Sequence, residues 1–302
     1  MSSPITRRKS SKTRPLSPKS IYAHVAAARE RLRQADLSQD EADAGARLLA
    51  QHVLGWDAAR FFTSGSEAEP DGFAERYDAL VERRAAREPV AYITGRQEFW
   101  QLDFEVSPDV LIPRPSTELI VEAAIELLRA RGGPLAIADA CTGCGCLAVV
   151  IAREFPEARV VATDISEVAL AVATRNAGGH GVASRVRFVR TDVLADEPGP
   201  FDLIVANPPY VRAGDRRGLQ PEVREHEPAL ALFGGPDGVD IVARVVSQAV
   251  SRLKSGGYLI FEFGFGQDVA VEQLISEAGG LKMIGLRRDL QGIARIAVAQ
   301  RT

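Results

Sequence analysis

The sequence predicts an α/β protein in which a small helical domain precedes a parallel, doubly wound sheet. Two observations support this prediction. Apolar residues recur at helical spacing from about Ile21 to Arg87, whereas after Pro113 short apolar runs of strand length alternate with helical segments. Strand–helix alternation of this length indicates a parallel sheet covered by helices. A ligand is then expected outside the carboxyl ends of the strands, where the strand order reverses.

Length and composition narrow the class of protein. The chain has 302 residues, enough for two domains, and its net charge of −3 gives no sign of a strongly basic nucleic-acid-binding body. No apolar run reaches the length of a membrane span. The three cysteines lie within six residues, too close together for a disulfide framework, so we expect a reducing, cytoplasmic location.

The first nineteen residues form a segment of their own. They contain no acidic residue, and their Ser and Pro residues are interspersed with six basic ones: Arg7, Arg8, Lys9, Lys12, Arg14 and Lys19. This composition predicts a disordered basic tail over residues 1–19. The alternatives are a weak RNA or ribosome contact and an organelle transit peptide. A secretory signal is not predicted, because no apolar stretch of the required length follows.

Three apolar stripes, beginning at Ile21, Ala42 and Phe73, predict a helical domain over residues 20–88. From Pro89 to Gly95 the period shifts toward that of a strand. Two short runs, 98–100 and 102–106, then suggest a hairpin, so residues 89–112 are predicted to form a hairpin linker.

The remaining domain, residues 113–302, is predicted to alternate strands and helices. The predicted helices are 118–131, 147–154, 166–177, 239–253 and 267–278. The predicted strands are 135–140, 159–164, 186–190, 201–206, 258–263, 282–288 and 294–299.

The most informative motif follows the apolar strand 201–206 and consists of Asn207, Pro208, Pro209 and Tyr210. Two prolines fix φ twice and remove two backbone donors, which makes a stiff corner with free carbonyl groups. With an Asn side chain at its root and a Tyr ring at its tip, such a corner could accept two hydrogen bonds from a planar NH2 group and cover its flat face. This is a way to hold an amide or amino nitrogen as a nucleophile.

A second group of residues lies at the ends of the preceding strands and predicts a nucleoside cofactor. The first strand leads into a turn of small residues that opens a helix, and the next two strands end in acidic residues. The predicted contacts are Cys141, Thr142, Gly143, Cys144 and Gly145 in the turn, Asp164 for the ribose hydroxyls, and Asp192 with Val193 near the adenine, with Asn207 alongside. S-adenosylmethionine suits this pattern better than NAD, because the turn lacks a full Gly-x-Gly-x-x-Gly.

The cysteines could alternatively ligate zinc or an iron–sulfur cluster through the pattern Cys141-x2-Cys144-x-Cys146. A fourth ligand is not evident, so we predict no metal and interpret the thiols as small residues of the cofactor turn. Two other acidic residues, Glu227 and Glu262, could be functional or structural, and neither is predicted to be a catalytic base.

With these motifs in this order, the chain resembles the HemK-type N5-glutamine methyltransferases, which methylate the Gln of the Gly-Gly-Gln motif in peptide chain release factors. The resemblance runs from about Ile21 to the C-terminus and includes residues 88–95, 110–118, 222–230, 234–238 and 289–295. It implies a Rossmann-like class I methyltransferase sheet with a small N-terminal helical domain that recognises the substrate. It also implies S-adenosylmethionine as cofactor, release factors as partners, and Asn207, Pro208 and Tyr210 as catalytic residues.

The chain departs from the family pattern at three positions. Ser116 stands where Glu is usual, and Cys141 and Cys144 stand where Gly and Ser are usual. A side chain at Cys141 is tolerable if its backbone stays in a region open to residues with a Cβ. Three other functions stay open: methylation of a ribosomal-protein glutamine, methylation of adenine N6 or guanine N2, and a binding partner that has lost activity.

Overall fold

The computed structural model describes residues 19–302, which form two compact units divided after Val90. The predicted basic tail lies outside the described residues except for Lys19. The first unit is helical. Its helices are α1 (Ile21–Gln34), α2 (Gln39–Leu54), α3 (Ala58–Ser64) and α4 (Phe73–Ala85), and α5 (Val90–Thr94) begins at the boundary.

Local sequence explains where these helices begin and end. Ser38 and Glu41 form a capping box at the start of α2, and Gly55 ends it in the left-handed conformation. The predicted stripes meet in a core that includes Leu32, Leu49 and Tyr77, all fully buried.

The second unit contains a two-stranded hairpin and a seven-stranded sheet. The hairpin consists of β1 (Arg96–Phe99) and β2 (Leu102–Glu105). The elements that follow are α6 (Glu118–Leu128), β3 (Ala136–Ala140), α7 (Cys146–Glu154), β4 (Arg159–Asp164), α8 (Glu167–Gly179), β5 (Val186–Arg190), β6 (Phe201–Ala206), α9 (Pro221–His226), α10 (Ala229–Leu232), α11 (Asp240–Arg252), β7 (Leu253–Glu262), α12 (Asp268–Ala278), β8 (Leu281–Arg288) and β9 (Ala294–Arg301). Short 3-10 helices occupy Pro115–Thr117 and Ala213–Gly218.

The strand order of the large sheet is β5-β4-β3-β6-β7-β9-β8. The first five strands in this order are parallel, and β9 pairs antiparallel with both β7 and β8. The order reverses between β3 and β6, so the crevice at their carboxyl ends is the expected ligand site. All six residues of β6 are buried, as expected of a strand covered by helices on both faces.

The structure corrects three sequence predictions. The segment 89–95, expected to have a strand period, contains the helix α5, because Ala91, Tyr92 and Ile93 are buried and packing outweighs the β propensity of Tyr92 and Ile93. The sheet is not wholly parallel, since the short connection between β8 and β9 cannot form a crossover. The strand β7 also begins at Leu253 rather than Tyr258.

Within residues 19–302, none of the helices combines the length and the hydropathy that crossing a bilayer requires.

Candidate active site

A cavity of about 320 Å³ opens at the carboxyl ends of β3, β4 and β6. It lies entirely within the second unit and is lined mainly by apolar side chains. Nine of the predicted site residues line it: Cys141, Thr142, Gly143, Cys144, Asp164, Asp192, Val193, Asn207 and Pro209. Gly145, Pro208 and Tyr210 are absent from this lining and lie directly beside lining residues in the chain.

The turn after β3 takes its shape from glycine and from a buried carboxylate. Gly145 has φ +81°, and a Cβ there would lie 2.9 Å from the Cβ of Ala173 in α8, so only glycine fits. Asp139 accepts hydrogen bonds from the Thr142 hydroxyl and from the Ala148 amide. Burial raises the pKa of Asp139 to about 7. The buried Asp139 carboxylate therefore holds the turn in place from the protein interior, and the turn borders the cavity on its other side.

The backbone of Cys141 does not lie in a region that is freely open to residues with a Cβ, contrary to the condition expected from the sequence. Its φ is +60°, in the left-handed region that favours glycine. Val193, another lining residue, has φ +57° although it is β-branched. Backbone strain of this kind concentrates at functional sites, and here both strained side chains border the same cavity.

The strain at Cys141 gives a stability prediction. Because a Cβ in the left-handed region costs roughly 1–2 kcal/mol, Cys141→Gly should be more stable than Cys141→Ala by about 1 kcal/mol. The matched pair is Cys144→Gly and Cys144→Ala, where φ is not positive and glycine should be less stable by roughly 0.5–1 kcal/mol. Urea denaturation of the four variants measures both differences. The prediction would be contradicted if the glycine variant were more stable than the alanine variant at both positions, or less stable at both.

Asp164 joins the turn to the end of β4. Its Oδ2 accepts a hydrogen bond from the Gly143 amide at 2.9 Å, and its Oδ1 accepts one from the Ser166 amide at 2.9 Å. Burial raises the pKa of this carboxyl group, and the backbone donors oppose the shift. Each carboxylate oxygen has a second lone pair. The side chain can therefore still accept hydrogen bonds from a ligand in the cavity.

Asp192 has a partner that the sequence did not reveal. Its Oδ2 lies 2.5 Å from Nη1 of Arg244 in α11, and both side chains line the cavity. The pair is partly exposed, with side chains 43% and 45% accessible. The predicted contact of Asp192 with adenine would thus be shared with, or compete with, this ion pair.

Asn207 directly follows β6, and the nitrogen and oxygen of its carboxamide have different surroundings. Its Nδ2 donates to Thr117 Oγ1 at 3.2 Å. Its Oδ1 is buried and has no hydrogen-bond partner among residues 19–302. Buried polar atoms are rarely left unpaired, and each exception calls for an explanation. Because Asn207 lines the cavity, this unpaired acceptor is the candidate atom to receive an N–H group of a ligand.

The Tyr210 side chain is tied to a different group. Its hydroxyl donates to Oε1 of Glu262 at 3.2 Å, and the two hydroxyls of Ser116 and Thr117 donate to the same carboxylate at 2.9 and 2.6 Å. Burial raises the pKa of Glu262, opposed by these hydroxyl donors and by Arg295. The proline corner is thereby anchored to the end of β7.

The geometry bears on two alternatives that the sequence left open, a functional role for Glu227 and a metal site. Glu227 is buried and forms an ion pair with Arg114, which gives it a structural partner. No group of three or more His, Cys, Asp or Glu side chains in the described part of the chain is arranged to hold a metal ion. Sequence reasoning missed Thr117, Arg244 and the role of Glu262, because their partners come from distant segments.

The chain is similar to two sequence families and to solved methyltransferase structures. The family described as "PrmC N-terminal domain" matches residues 24–95, and the family described as "Methyltransferase small domain" matches residues 117–221. The catalytic domain of hMettl16 has a TM-score of 0.54 at 14% identity, covering 76% of this chain and 81% of that one. A T. thermophilus 16S rRNA N2 G1207 methyltransferase has a TM-score of 0.50 at 20% identity, covering 68% and 50%. These structures support the methyltransferase fold.

Relatives that are named release factor glutamine methyltransferases match this chain over most of its length. A release factor glutamine methyltransferase of Bradyrhizobium diazoefficiens is 41% identical over 90% of this chain and 91% of its own length. One of Cereibacter sphaeroides is 42% identical over 86% of this chain and 92% of its own length. The chain belongs to the release factor glutamine methyltransferase family.

Proposed function

We propose that this protein transfers a methyl group from S-adenosylmethionine to the side-chain amide nitrogen of the glutamine in the Gly-Gly-Gln motif of peptide chain release factors. Membership of the release factor glutamine methyltransferase family supports the substrate class. The observation that carries the proposal within this chain is the unpaired Oδ1 of Asn207, buried beside the cavity. A primary amide brings the N–H group that this oxygen lacks.

The residues around the cavity fit S-adenosylmethionine. The turn from Cys141 to Gly145 opens α7, whose N-terminus favours a carboxylate. Asp164 keeps acceptor capacity for ribose hydroxyls, and Asp192 and Val193 border the part of the cavity assigned to the adenine. When bound, this cofactor supplies a methyl group attached to a sulfonium, which is a strong leaving group.

Asn207 and its neighbours would act by orientation. A glutamine nitrogen is a poor nucleophile because its lone pair is delocalised into the carbonyl group. Asn207 Oδ1 and the Pro208 carbonyl accept its two N–H groups, which directs the lone pair and favours a more tetrahedral nitrogen. Pro209 and Tyr210 complete the rigid corner. Orientation of this kind contributes up to about 7–11 kcal/mol in well-arranged reactions.

The N-terminal helical unit is the proposed recognition element for the release factor. A single glutamine side chain offers little specificity, so contacts outside the Gly-Gly-Gln loop are required. This unit corresponds to the PrmC N-terminal domain match at residues 24–95, which is separate from the Methyltransferase small domain match at residues 117–221. Because release factors act on ribosomes, we also propose a cytoplasmic location, with the basic tail making at most a weak RNA contact.

The function is tested by offering labelled S-adenosylmethionine with four separate acceptors: release factor, ribosomal proteins, ribosomal RNA and DNA. Label is expected on the release factor and should disappear when its Gly-Gly-Gln glutamine is replaced by alanine. A short Gly-Gly-Gln peptide should have a KM at least about 10²-fold above that of the whole factor, a difference of about 2.7 kcal/mol. Label on adenine, guanine or a ribosomal protein instead would refute the proposal.

A further inference from the structure

A chain of hydrogen bonds connects the Asn207 carboxamide to a buried carboxylate at the end of β7. The Asn207 Nδ2 atom lies 3.2 Å from Thr117 Oγ1, and Thr117 Oγ1 lies 2.6 Å from Glu262 Oε2. Thr117 is 2% exposed and Glu262 is fully buried. Solvent therefore has little opportunity to replace either partner, and the protein alone sets the direction of each hydrogen bond.

Counting protons along this chain fixes the direction. A hydroxyl group has one proton, and an ionised carboxylate has none. Glu262 accepts hydrogen bonds from the hydroxyls of Ser116, Thr117 and Tyr210, and these three donors stabilise the ionised carboxylate against the rise in pKa that burial causes. Because the Thr117 proton is directed to Glu262, Thr117 Oγ1 can only accept a hydrogen bond from Asn207. The NH2 group of Asn207 must then face Thr117.

The opposite orientation of the carboxamide is unfavourable. It would bring the Asn207 oxygen against Thr117 Oγ1 with no proton between them. Alternatively, the Thr117 proton would turn toward Asn207 and leave Glu262 Oε2 buried without its donor. Unpaired polar atoms are costly at a buried site. Orientation of a side-chain amide is decided by its partners, and these partners permit one orientation.

We propose that Thr117 and Glu262 are positioning residues that hold the Asn207 oxygen toward the cavity as the acceptor for the substrate N–H group. The inference rests on the proposed function, in which the reacting nitrogen carries two N–H groups. A reversed carboxamide would place an N–H group of Asn207 against an N–H group of the substrate. Both residues act through Asn207, so removing the Thr117 hydroxyl should impair turnover more than cofactor binding.

The experiment compares three variants of the full chain. Thr117→Val removes the hydroxyl at nearly constant volume, and Thr117→Ser restores it. Ser116→Ala is the matched control, because Ser116 donates to the same carboxylate but makes no hydrogen bond to Asn207 in the described part of the chain. Thr117→Val should lower kcat by about 10²-fold, whereas Thr117→Ser and Ser116→Ala should stay within about threefold of the wild type. S-adenosylhomocysteine affinity, measured by calorimetry, should be unchanged in all three.

A second readout observes the carboxamide directly and does not depend on turnover. Asn207 side-chain signals can be assigned in ¹⁵N NMR spectra by their disappearance in Asn207→Ala. One Nδ2 proton should exchange slowly with solvent in the wild type and in Ser116→Ala. Its exchange should be at least about tenfold faster in Thr117→Val, because the buried acceptor is gone.

Two results would overturn the positioning role. One is equal kcat for Thr117→Val and Ser116→Ala, and the other is equal impairment of Thr117→Val and Thr117→Ser, which would indicate packing rather than the hydroxyl. The proposed function fails separately, if the wild type leaves the release factor unmethylated. In that case the exchange of the Asn207 amide still supports or refutes the hydrogen-bond chain.

Discussion

Replacing Asn207 with alanine is expected to lower kcat for methyl transfer by at least about 10³-fold, while S-adenosylmethionine binding stays within about threefold of the wild type. The variant loses the side chain that orients the substrate nitrogen. It keeps the turn after β3 and the residues Asp164, Asp192 and Val193, which are the other groups assigned to the cofactor. Single-turnover kinetics and calorimetry on the same preparation separate the two effects.

The stability of this variant should differ from that of an ordinary buried-asparagine variant. Asn207 Oδ1 is buried and unpaired, which costs roughly 1–3 kcal/mol, so its removal offsets the lost hydrogen bond to Thr117. Asn176 is the contrasting case. Its Oδ1 accepts from the Glu105 amide, and its Nδ2 donates to the carbonyls of Glu105 and Cys144.

Asn176→Ala should therefore lower the free energy of unfolding by about 2 kcal/mol or more, whereas Asn207→Ala should leave it nearly unchanged. Thermal and urea unfolding measure this difference. A large loss of stability in Asn207→Ala, or normal turnover, would contradict the assignment of Asn207 as the group that holds the amide.

The parts of the site that the sequence could predict are those determined by short-range pattern. The apolar run 201–206 places Asn207 at a strand end, and the two prolines that follow define the corner. The same reasoning placed Asp164 and Asp192 at the ends of β4 and β5, and all three residues line one cavity. Strand ends converge in a parallel sheet, so the order of these residues along the chain was sufficient.

The parts that the sequence could not predict depend on contacts between distant segments. Thr117 and Glu262 are 145 positions apart and meet only because α6 follows a 3-10 helix beside the end of β7. Arg244 reaches Asp192 from α11, whose helical pattern does not reveal which residue faces the cavity. The left-handed backbone of Cys141 was indicated only by the family's usual Gly at this position, because the residue itself is neither the glycine nor the asparagine that marks such a backbone.

The helix α5 shows the limit of propensity arguments. Val90, Tyr92 and Ile93 favour strands when considered alone. The Tyr92 hydroxyl, however, donates to the Val110 carbonyl at 2.6 Å, and both residues are buried. Burial of several apolar side chains together outweighs β propensity, which spans only about 1 kcal/mol per residue.

Replacing Asp164 with alanine should weaken the binding of S-adenosylhomocysteine by about 10²-fold. A hydrogen bond to a charged acceptor contributes about 1.5–3 kcal/mol, and each 1.4 kcal/mol is tenfold in affinity. Asp192→Ala should have a smaller effect, below about tenfold, because Asp192 is partly exposed and already paired with Arg244. Calorimetry on both variants gives the comparison.

A loss of affinity in Asp164→Ala could also come from the turn itself, because Asp164 accepts a hydrogen bond from the Gly143 amide. A ligand lacking the ribose hydroxyls separates the two causes. In the wild type, removal of the 2′- and 3′-hydroxyls from S-adenosylhomocysteine should weaken binding, whereas in Asp164→Ala the two ligands should bind almost equally. The coupling between side chain and hydroxyls is then the measured quantity. A difference between the ligands that persists undiminished in the variant would show that the ribose is held by other groups and that Asp164 only shapes the turn.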